Sequence, residues 1–231
     1  MNAHKPWSDL QEQIVRCNAC ADLRAYAREI ATRKRAAYAR DAYWAKPVPA
    51  FGDPAAKIAL VGLAPGAHGS NRTGRMFTGD SSGDFLYPAL HRAGLASQEH
   101  ARHAGDGMTL RDCVITSAAR CAPPKNKPSA QHLANCLPFL VTEFSLLTEL
   151  RVAVGLGRIG FDAAARALRA LGYRFDGVTL PRFSHGCEFR ARLNRRTITL
   201  LGCYHPSRQN TNTGVLTAAM FDKVLARALE L

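Results

Sequence analysis

Acidic residues are scarce in this 231-residue sequence, which has 18 Asp and Glu against 31 Lys and Arg. None of them cluster near the ends of the predicted strands, so the carboxylate groups that bind Mg²⁺ in many phosphatases are missing. This argues against a metal-dependent nucleotide hydrolase. The formal net charge of +13 favours a polyanionic partner such as nucleic acid, because neutralising phosphates releases counterions.

Long apolar runs are also absent from the sequence. No stretch approaches the roughly 18 consecutive apolar residues that predict a membrane-spanning helix. The first residues, MNAHKPWSDLQEQ, contain no apolar signal segment. We therefore expect a cytoplasmic protein that does not bind a membrane. The excess of positive charge further predicts association with the nucleoid, and we expect a monomer. The length fits a single α/β domain over residues 1–231.

Short apolar runs typical of buried parallel strands alternate with helical patterns along the chain. This alternation predicts a three-layer α/β/α sandwich around a central, mostly parallel four-stranded sheet. The strands are predicted at residues 57–62, 113–117, 151–157 and 197–204, and the helices between them at residues 85–95, 129–150 and 161–172. An N-terminal helical pattern covers about residues 7–45 with Ser8 as N-cap, and a last helix covers about residues 214–230.

A polar, glycine-rich tract follows the first predicted strand at residues 62–84 (GLAPGAHGSNRTGRMFTGDSSGD). Connections are usually about four to six residues long, and longer ones are commonly functional or disordered. GLAPG lacks the Gly-Lys-Ser/Thr of a P-loop and the GxGxxG spacing, so by itself it is equally consistent with a structural turn. Ligands bind beyond the carboxyl ends of parallel strands, so GLAPG should meet SAARC (117–121) and HPSRQN (205–210) there.

Seven cysteines in a chain expected to be cytoplasmic indicate metal or redox chemistry rather than disulfides. Cys113, Cys187 and Cys203 lie in apolar or strand-like runs, where thiols behave as small hydrophobic side chains. The candidate metal ligands are the other four: Cys17, Cys20, Cys121 and Cys136. Four thiolates can hold either an iron–sulfur cluster or structural zinc. The 14 residues within the second pair differ from the CxxC…CxxC spacing of zinc ribbons.

The order of these motifs (CxxC, GLAPG, GRMFTGD, CAPP…C, HPSRQN) resembles that of the iron–sulfur uracil-DNA glycosylases over nearly the whole chain, and most closely the family 5 group. The resemblance implies a DNA repair enzyme that flips uracil out of DNA and hydrolyses its N-glycosidic bond, leaving an abasic site. It implies that Asp80 is the catalytic carboxylate. It also implies one [4Fe–4S] cluster on Cys17, Cys20, Cys121 and Cys136, which would tie the N-terminal helical segment to the rest of the domain.

Three positions depart from the related family 4 pattern. Leu63 stands where family 4 commonly has glutamate, and a leucine cannot transfer protons. Met76 replaces a proline, and Ser117 replaces an asparagine that reads the uracil edge. A pocket without that amide predicts looser base discrimination, with hypoxanthine and etheno-cytosine as further substrates.

Individual roles follow for the motif residues. Asp80 would stabilise the oxocarbenium-like sugar and orient the attacking water, and His205 would donate a hydrogen bond to the leaving base. Phe77 would stack on the flipped base, with Asn126 as a second polar reader. Arg208 would contact a phosphate or the gap left in the duplex. The predicted base- and DNA-binding residues are Gly62, Leu63, Ala64, Pro65, Gly66, His68, Asn71, Phe77, Asn126, Ser207, Arg208 and Asn210.

Basic charge should gather on the face that carries the three loops. The residues expected to form this face are Arg72, Arg75, Arg120, Lys125, Lys127 and Arg208. An alternative from another class is a non-catalytic DNA-binding module with structural zinc on the four cysteines. It explains the charge and the thiols but leaves Asp80 and His205 without a role.

Overall fold

The computed structural model describes residues 4–231, and its centre is a seven-stranded sheet. The strands are β1 (Phe51–Gly52), β2 (Ile58–Gly62), β3 (Cys113–Ser117), β4 (Val152–Leu156), β5 (Arg174–Phe175), β6 (Glu188–Leu193) and β7 (Arg196–Cys203). They lie in the order β1-β3-β2-β4-β7-β6-β5. The four central strands, β3, β2, β4 and β7, run parallel to one another, which confirms the predicted parallel sheet.

Helices cover both faces of this sheet. They are α1 (His4–Arg16), α2 (Ala21–Arg33), α3 (Ser70–Thr73), α4 (Ser81–Arg92), α5 (Ala130–Leu146), α6 (Gly157–Ala170), α7 (Arg208–Asn212) and α8 (Ala218–Glu230). Short 3-10 turns lie at Ala36–Tyr38 and Pro124–Asn126. Among residues 4–231, no helix combines the length and the apolar character needed to cross a membrane.

Alternate side chains of the central strands enter two separate cores. On β2, Ile58 and Leu60 face the core shared with α4 and α8, whereas Ala59 and Val61 face the core shared with α5 and α6. Every residue of β2, β3 and β4 is buried. Burial on both faces explains why these strands are continuous apolar runs, and it confirms the three-layer arrangement.

Three strands that the sequence pattern does not predict extend the sheet at its edges. Strand β6 pairs antiparallel with β7, and only Ala191 of its six residues is buried, so β6 lacks an apolar run. Strands β1 and β5 are two residues long and also pair antiparallel with their neighbours. The sheet is therefore mixed, with a parallel centre.

The N-terminal prediction of one helix over residues 7–45 is wrong. Helices α1 and α2 are separated by a break at residues 17–20, and the chain after α2 contains only one 3-10 turn before β1. Ser8 is not an N-cap, since it lies inside α1 and its hydroxyl donates to the Lys5 carbonyl (2.9 Å). The last helix begins at Ala218 rather than at residue 214, because the Thr217 hydroxyl caps it by accepting from the Met220 amide.

The loops that leave β2 and β3 run side by side. The amides of Ala118 and Ala119 donate to the carbonyls of Gly62 and Leu63, at 2.9 and 3.0 Å. Strand β7 ends two residues before His205, at the same edge of the sheet. The parallel centre thus brings the predicted loops together at the carboxyl ends of its strands.

Candidate active site

Asp80 is the N-cap of α4, and its two carboxylate oxygens have different surroundings. Oδ1 accepts hydrogen bonds from the amides of Ser82 and Gly83, both at 3.1 Å. Oδ2 lies against the backbone of Gly66 and Gly69 and accepts no hydrogen bond from the described part of the chain. Burial raises the pKa of Asp80 above its usual range, although the two amide hydrogen bonds oppose this. The carboxylate is therefore fixed in place with one unsatisfied oxygen.

Gly69 is required here by space. A methyl group at Gly69 would overlap the Asp80 carboxylate, and one at Gly66 would lie 2.9 Å from Oδ2. The glycines of the polar tract thus let the backbone approach the carboxylate closely.

His205 follows β7 and is mostly enclosed. Burial lowers its pKa to about 4, so the imidazole is neutral at physiological pH and carries one N–H donor. Its backbone is fixed, because the His205 carbonyl accepts from the Ser207 amide (2.7 Å) and from Asn210 Nδ2 (2.9 Å). Behind the ring, a methyl group at Gly157 would come within 3.0 Å of the His205 Cβ. A neutral, fixed donor suits a site where negative charge develops.

Phe77 joins the two halves of this site. Its ring stacks on that of His205, with centroids 5.9 Å apart, and a methyl group at Gly62 would lie 2.9 Å from it. Only 8% of Phe77 is exposed, and its φ of +52° is unusual for a non-glycine residue. Backbone strain of this kind is concentrated at functional sites.

The remaining predicted residues of the polar tract are used to attach it to the N-terminal region. Asn71 is 1% exposed, and its Nδ2 donates to the carbonyls of Ala27 in α2 and Ala67. His68 Nδ1 forms a 2.8 Å hydrogen bond with the Tyr43 hydroxyl. Sequence reasoning did not identify Tyr43, and no motif marks it.

The predicted residues after β7 and β3 are partly structural. Ser207 caps α7 by accepting from the Asn210 amide (3.3 Å). The Arg208 side chain is exposed. Asn126 is exposed in a turn where both Lys125 and Asn126 have φ of +55°. Leu63, Ala64 and Pro65 lie in the loop that leaves β2.

The prediction of a basic loop face is wrong for three of its six residues. Arg75 is 4% exposed and pairs with Asp106 through two contacts of 2.7 Å, and Arg120 is 1% exposed and pairs with Glu143. Arg72 binds Asp41 at 2.6 Å with 11% of its side chain exposed. A tract with few apolar residues is thus held together by internal ion pairs. The exposed residues are Lys125, Lys127 and Arg208.

The four candidate metal ligands lie in one neighbourhood. Cys20 and Cys121 share a small core with Leu23, and Asn135, beside Cys136, donates from Nδ2 to the Cys20 sulfur at 3.3 Å. Burial raises the pKa of Cys121 to about 12, and the charges of the other three cysteines add to the rise. Among residues 4–231, no three Cys, His, Asp or Glu side chains meet the geometry of a metal site.

Two arginines beside these cysteines have unpaired donors. Three buried nitrogen atoms have no hydrogen-bond partner in the described part of the chain. They are Nε of Arg24, and Nε and Nη1 of Arg120. The positive charge of Arg24 acts to lower the pKa of Cys121, and that of Arg120 acts to lower the pKa of Cys136, although burial outweighs both effects. Buried unpaired donors are costly, so this neighbourhood suits a group with negative charge.

Comparison with known proteins agrees with this arrangement. Residues 49–229 match the family described as the Uracil DNA glycosylase superfamily. The chain is 48% identical over 220 residues to the type-5 uracil-DNA glycosylase of Thermus thermophilus, covering 95% of each chain. It is 44% identical over 227 residues to that of Mycobacterium leprae, covering 96% of this chain and 94% of the relative. It is 38% identical over 222 residues to that of Pyrobaculum aerophilum, covering 96% and 92%. The predicted family is confirmed: the chain belongs to the uracil DNA glycosylase superfamily, within its type-5 group.

Proposed function

We propose that the chain is a DNA repair enzyme that excises uracil by hydrolysing its N-glycosidic bond and leaves an abasic site in DNA. The family supports this activity over the non-catalytic zinc module. The observation that carries the proposal is the Asp80 carboxylate. It is fixed by two amides through one oxygen and offers the other, at the end of the connection between β2 and α4.

Asp80 acts on the sugar in this proposal. As the bond between C1′ and the base breaks, positive charge develops on the sugar, and an ionised carboxylate stabilises it. The unsatisfied Oδ2 also orients the water that attacks C1′. The two amides hold Asp80 before the reaction begins, so no reorganisation is needed.

His205 acts on the leaving base. The departing uracil carries negative charge at O2, which the neutral imidazole stabilises by donating its N–H. Backbone N–H groups of the GLAPG turn, in which Pro65 has none, assist His205. Phe77 stacks on the flipped ring, which is worth about 1–3 kcal/mol per base. The base then takes a proton from solvent, and the water that has bound to C1′ loses one proton to solvent, so the two transfers balance.

A broad range of bases is part of this proposal. The Ser117 hydroxyl donates to the Ala119 carbonyl at 2.7 Å, so this side chain is committed internally. Leu63 has no polar group at all. A pocket with few side-chain readers accepts uracil and also hypoxanthine and etheno-cytosine, in double- or single-stranded DNA.

Cys17, Cys20, Cys121 and Cys136 would hold one [4Fe–4S] cluster, which the chemistry of the donor set supports. A cluster on four thiolates is anionic, and the unpaired donors of Arg24 and Arg120 suit that charge. The group supplies a structural cross-link between the start of α2, the loop after β3 and α5. Protein purified without oxygen should be brown, with broad absorption near ~400 nm. A colourless protein with one zinc per chain would contradict this assignment.

Incubation with a duplex that contains one uracil tests the proposed function. Abasic sites should form and be cleaved by hot alkali, whereas the same duplex with thymine stays intact. Free uracil should appear in an amount equal to that of the abasic sites.

We further propose that residues 1–231 act as a single domain and a monomer on chromosomal DNA in the cytoplasm. Sedimentation measurements would test the oligomeric state.

A further inference from the structure

Residues 34–46 form an irregular segment that is attached to the polar tract. Its only regular element is the turn Ala36–Tyr38. The amides of Trp44 and Ala45 donate to the carbonyls of Arg72 (2.9 Å) and Asn71 (3.0 Å). The 34–46 segment is thereby placed beside the loop that leads to Asp80.

Arg72 fixes the same segment through its side chain. Nη1 binds Asp41 at 2.6 Å, Nε donates to the His68 carbonyl at 2.7 Å, and the guanidinium lies 3.9 Å from the centre of the Tyr38 ring. Asp41 is the only acidic residue of the segment. The negative charge of Asp41 is therefore neutralised by its internal ion pair with Arg72.

The basic residues of the segment keep their charge for solvent or a ligand. Lys34 and Lys46 make only weak local contacts, to the Ala39 carbonyl (3.3 Å) and over the Trp44 ring (5.4 Å). Arg35 and Arg40 are exposed and form no ion pair or side-chain hydrogen bond within residues 4–231. The segment therefore presents four positive charges without a compensating carboxylate.

Arg35 lies near His68 of the polar tract. Burial lowers the pKa of His68, and the charges of Arg35 and Arg72 lower it further. Of the basic residues expected on the loop face, three are internal, so those loops offer fewer cations to DNA than the sequence suggests. The 34–46 segment carries four basic residues and is attached to one of those loops.

We propose that the 34–46 segment binds the DNA backbone next to the extruded nucleotide, with Arg35 and Arg40 each contacting a phosphate. This rests on the proposed function for its choice of ligand. The segment lies outside residues 49–229, which match the family. Its anchoring by Trp44, Ala45 and Arg72 also reduces the entropy that such contacts would otherwise cost.

The test is the salt dependence of binding to plain duplex without uracil. In the variant Arg35→Ala/Arg40→Ala, the slope of log affinity against log salt should fall by about 2, since each phosphate contact contributes about 1. The matched control is Arg166→Ala/Arg169→Ala, which removes two exposed arginines from α6. It should leave the slope of the native protein unchanged. Arg40→Ala alone should lower the slope by about 1.

A slope in Arg35→Ala/Arg40→Ala equal to that of the α6 control would overturn the proposal. Thermal unfolding shows whether each variant is folded. If the double variant is not folded, the slope of Arg40→Ala alone tests the proposal, and a slope equal to that of the native protein would overturn it. Binding to plain duplex does not depend on base excision. A native protein that binds duplex but releases no uracil would refute the proposed function and leave this test intact.

Discussion

The ring of Phe77 stacks on the ring of His205 with an angle of 30° between their planes. This contact excludes water from one face of the imidazole. In Phe77→Leu, water reaches His205, and its pKa should rise from about 4 towards the ordinary value of 6.5. The measurement is a titration of the histidine ring protons by NMR.

Phe85→Leu is the control for this variant. Phe85 stacks edge-on against Phe221, so it changes an aromatic pair that does not include His205. Its His205 should titrate as in the native protein. An unchanged His205 pKa in Phe77→Leu would mean that other groups exclude water from the imidazole.

Asp80→Asn should lower the single-turnover rate of uracil excision by at least about 10²-fold, because a fixed charge at the reacting centre is lost. Asparagine is as good an N-cap as aspartate, so α4 should remain stable. The control is Asp84→Asn, an exposed residue in the first turn of the same helix. A rate near that of the native protein would remove Asp80 from its role.

His205 should make the protein less stable in acid. In the unfolded chain the histidine binds a proton below pH 6.5, but in the folded protein only below about 4. The unfolded state therefore binds more protons between these values, and the free energy of unfolding falls as the pH drops through that window. His205→Gln should lose less stability than the native protein between pH 7.5 and 4.5 in urea titrations.

His103→Gln is the matched control for this pH effect, since His103 is exposed. It should show the same loss of stability as the native protein. Equal losses in His205→Gln and the native protein would show that His205 is not held neutral by the fold.

Arg75→Met should reduce the free energy of unfolding by about 3–5 kcal/mol, because it removes the cation that pairs with the buried Asp106 carboxylate and leaves that charge only its backbone amide donors. Burial alone would raise the pKa of Asp106, but the hydrogen bonds from Arg75 and from three backbone amides hold it far below its usual range. Arg92→Met breaks an exposed pair with Asp222 and should cost only about 0–1 kcal/mol. Urea titrations measure both, and similar costs would contradict the structural role of Arg75.

Cys136→Ser should abolish bound iron and brown colour in protein purified without oxygen. Cys187→Ser, which changes a half-buried thiol away from the proposed ligands, should keep both. Metal analysis by mass spectrometry gives the iron and zinc per chain. Equal iron in the two variants would exclude Cys136 as a ligand.

The parallel centre of the sheet could be predicted from sequence because burial on two faces leaves a plain apolar run. Strand β6 could not, since its residues alternate in exposure and its pairing with β7 decides its structure. The break at residues 17–20 could not be predicted either, because CNAC contains no glycine or proline to interrupt the helical period.

The candidate site divides in the same way. Asp80 and His205 stand in short motifs beside strand ends, so their neighbourhood could be predicted. The burial of three arginines in internal ion pairs could not be predicted, since a count of charges does not reveal which guanidinium groups are buried. These arginines are Arg72, Arg75 and Arg120. The place of Tyr43 depends on the folding of the 34–46 segment, which no local pattern indicates.

The close approach of Gly69 to Asp80 limits which sequences can encode this enzyme. Gly69 has a φ of −97° and a ψ of −104°, a pair outside the regions that residues with a side chain favour, and the Asp80 carboxylate occupies the space that a Cβ would need. We therefore expect that a saturation library selected for uracil excision will retain only glycine at position 69, and that even alanine will be lost there. Gly94 and Gly177 have open surroundings but φ of +73° and +71°, so asparagine should survive at both. The library would thus separate a glycine whose neighbour leaves no room for a side chain from glycines that are kept for a positive φ.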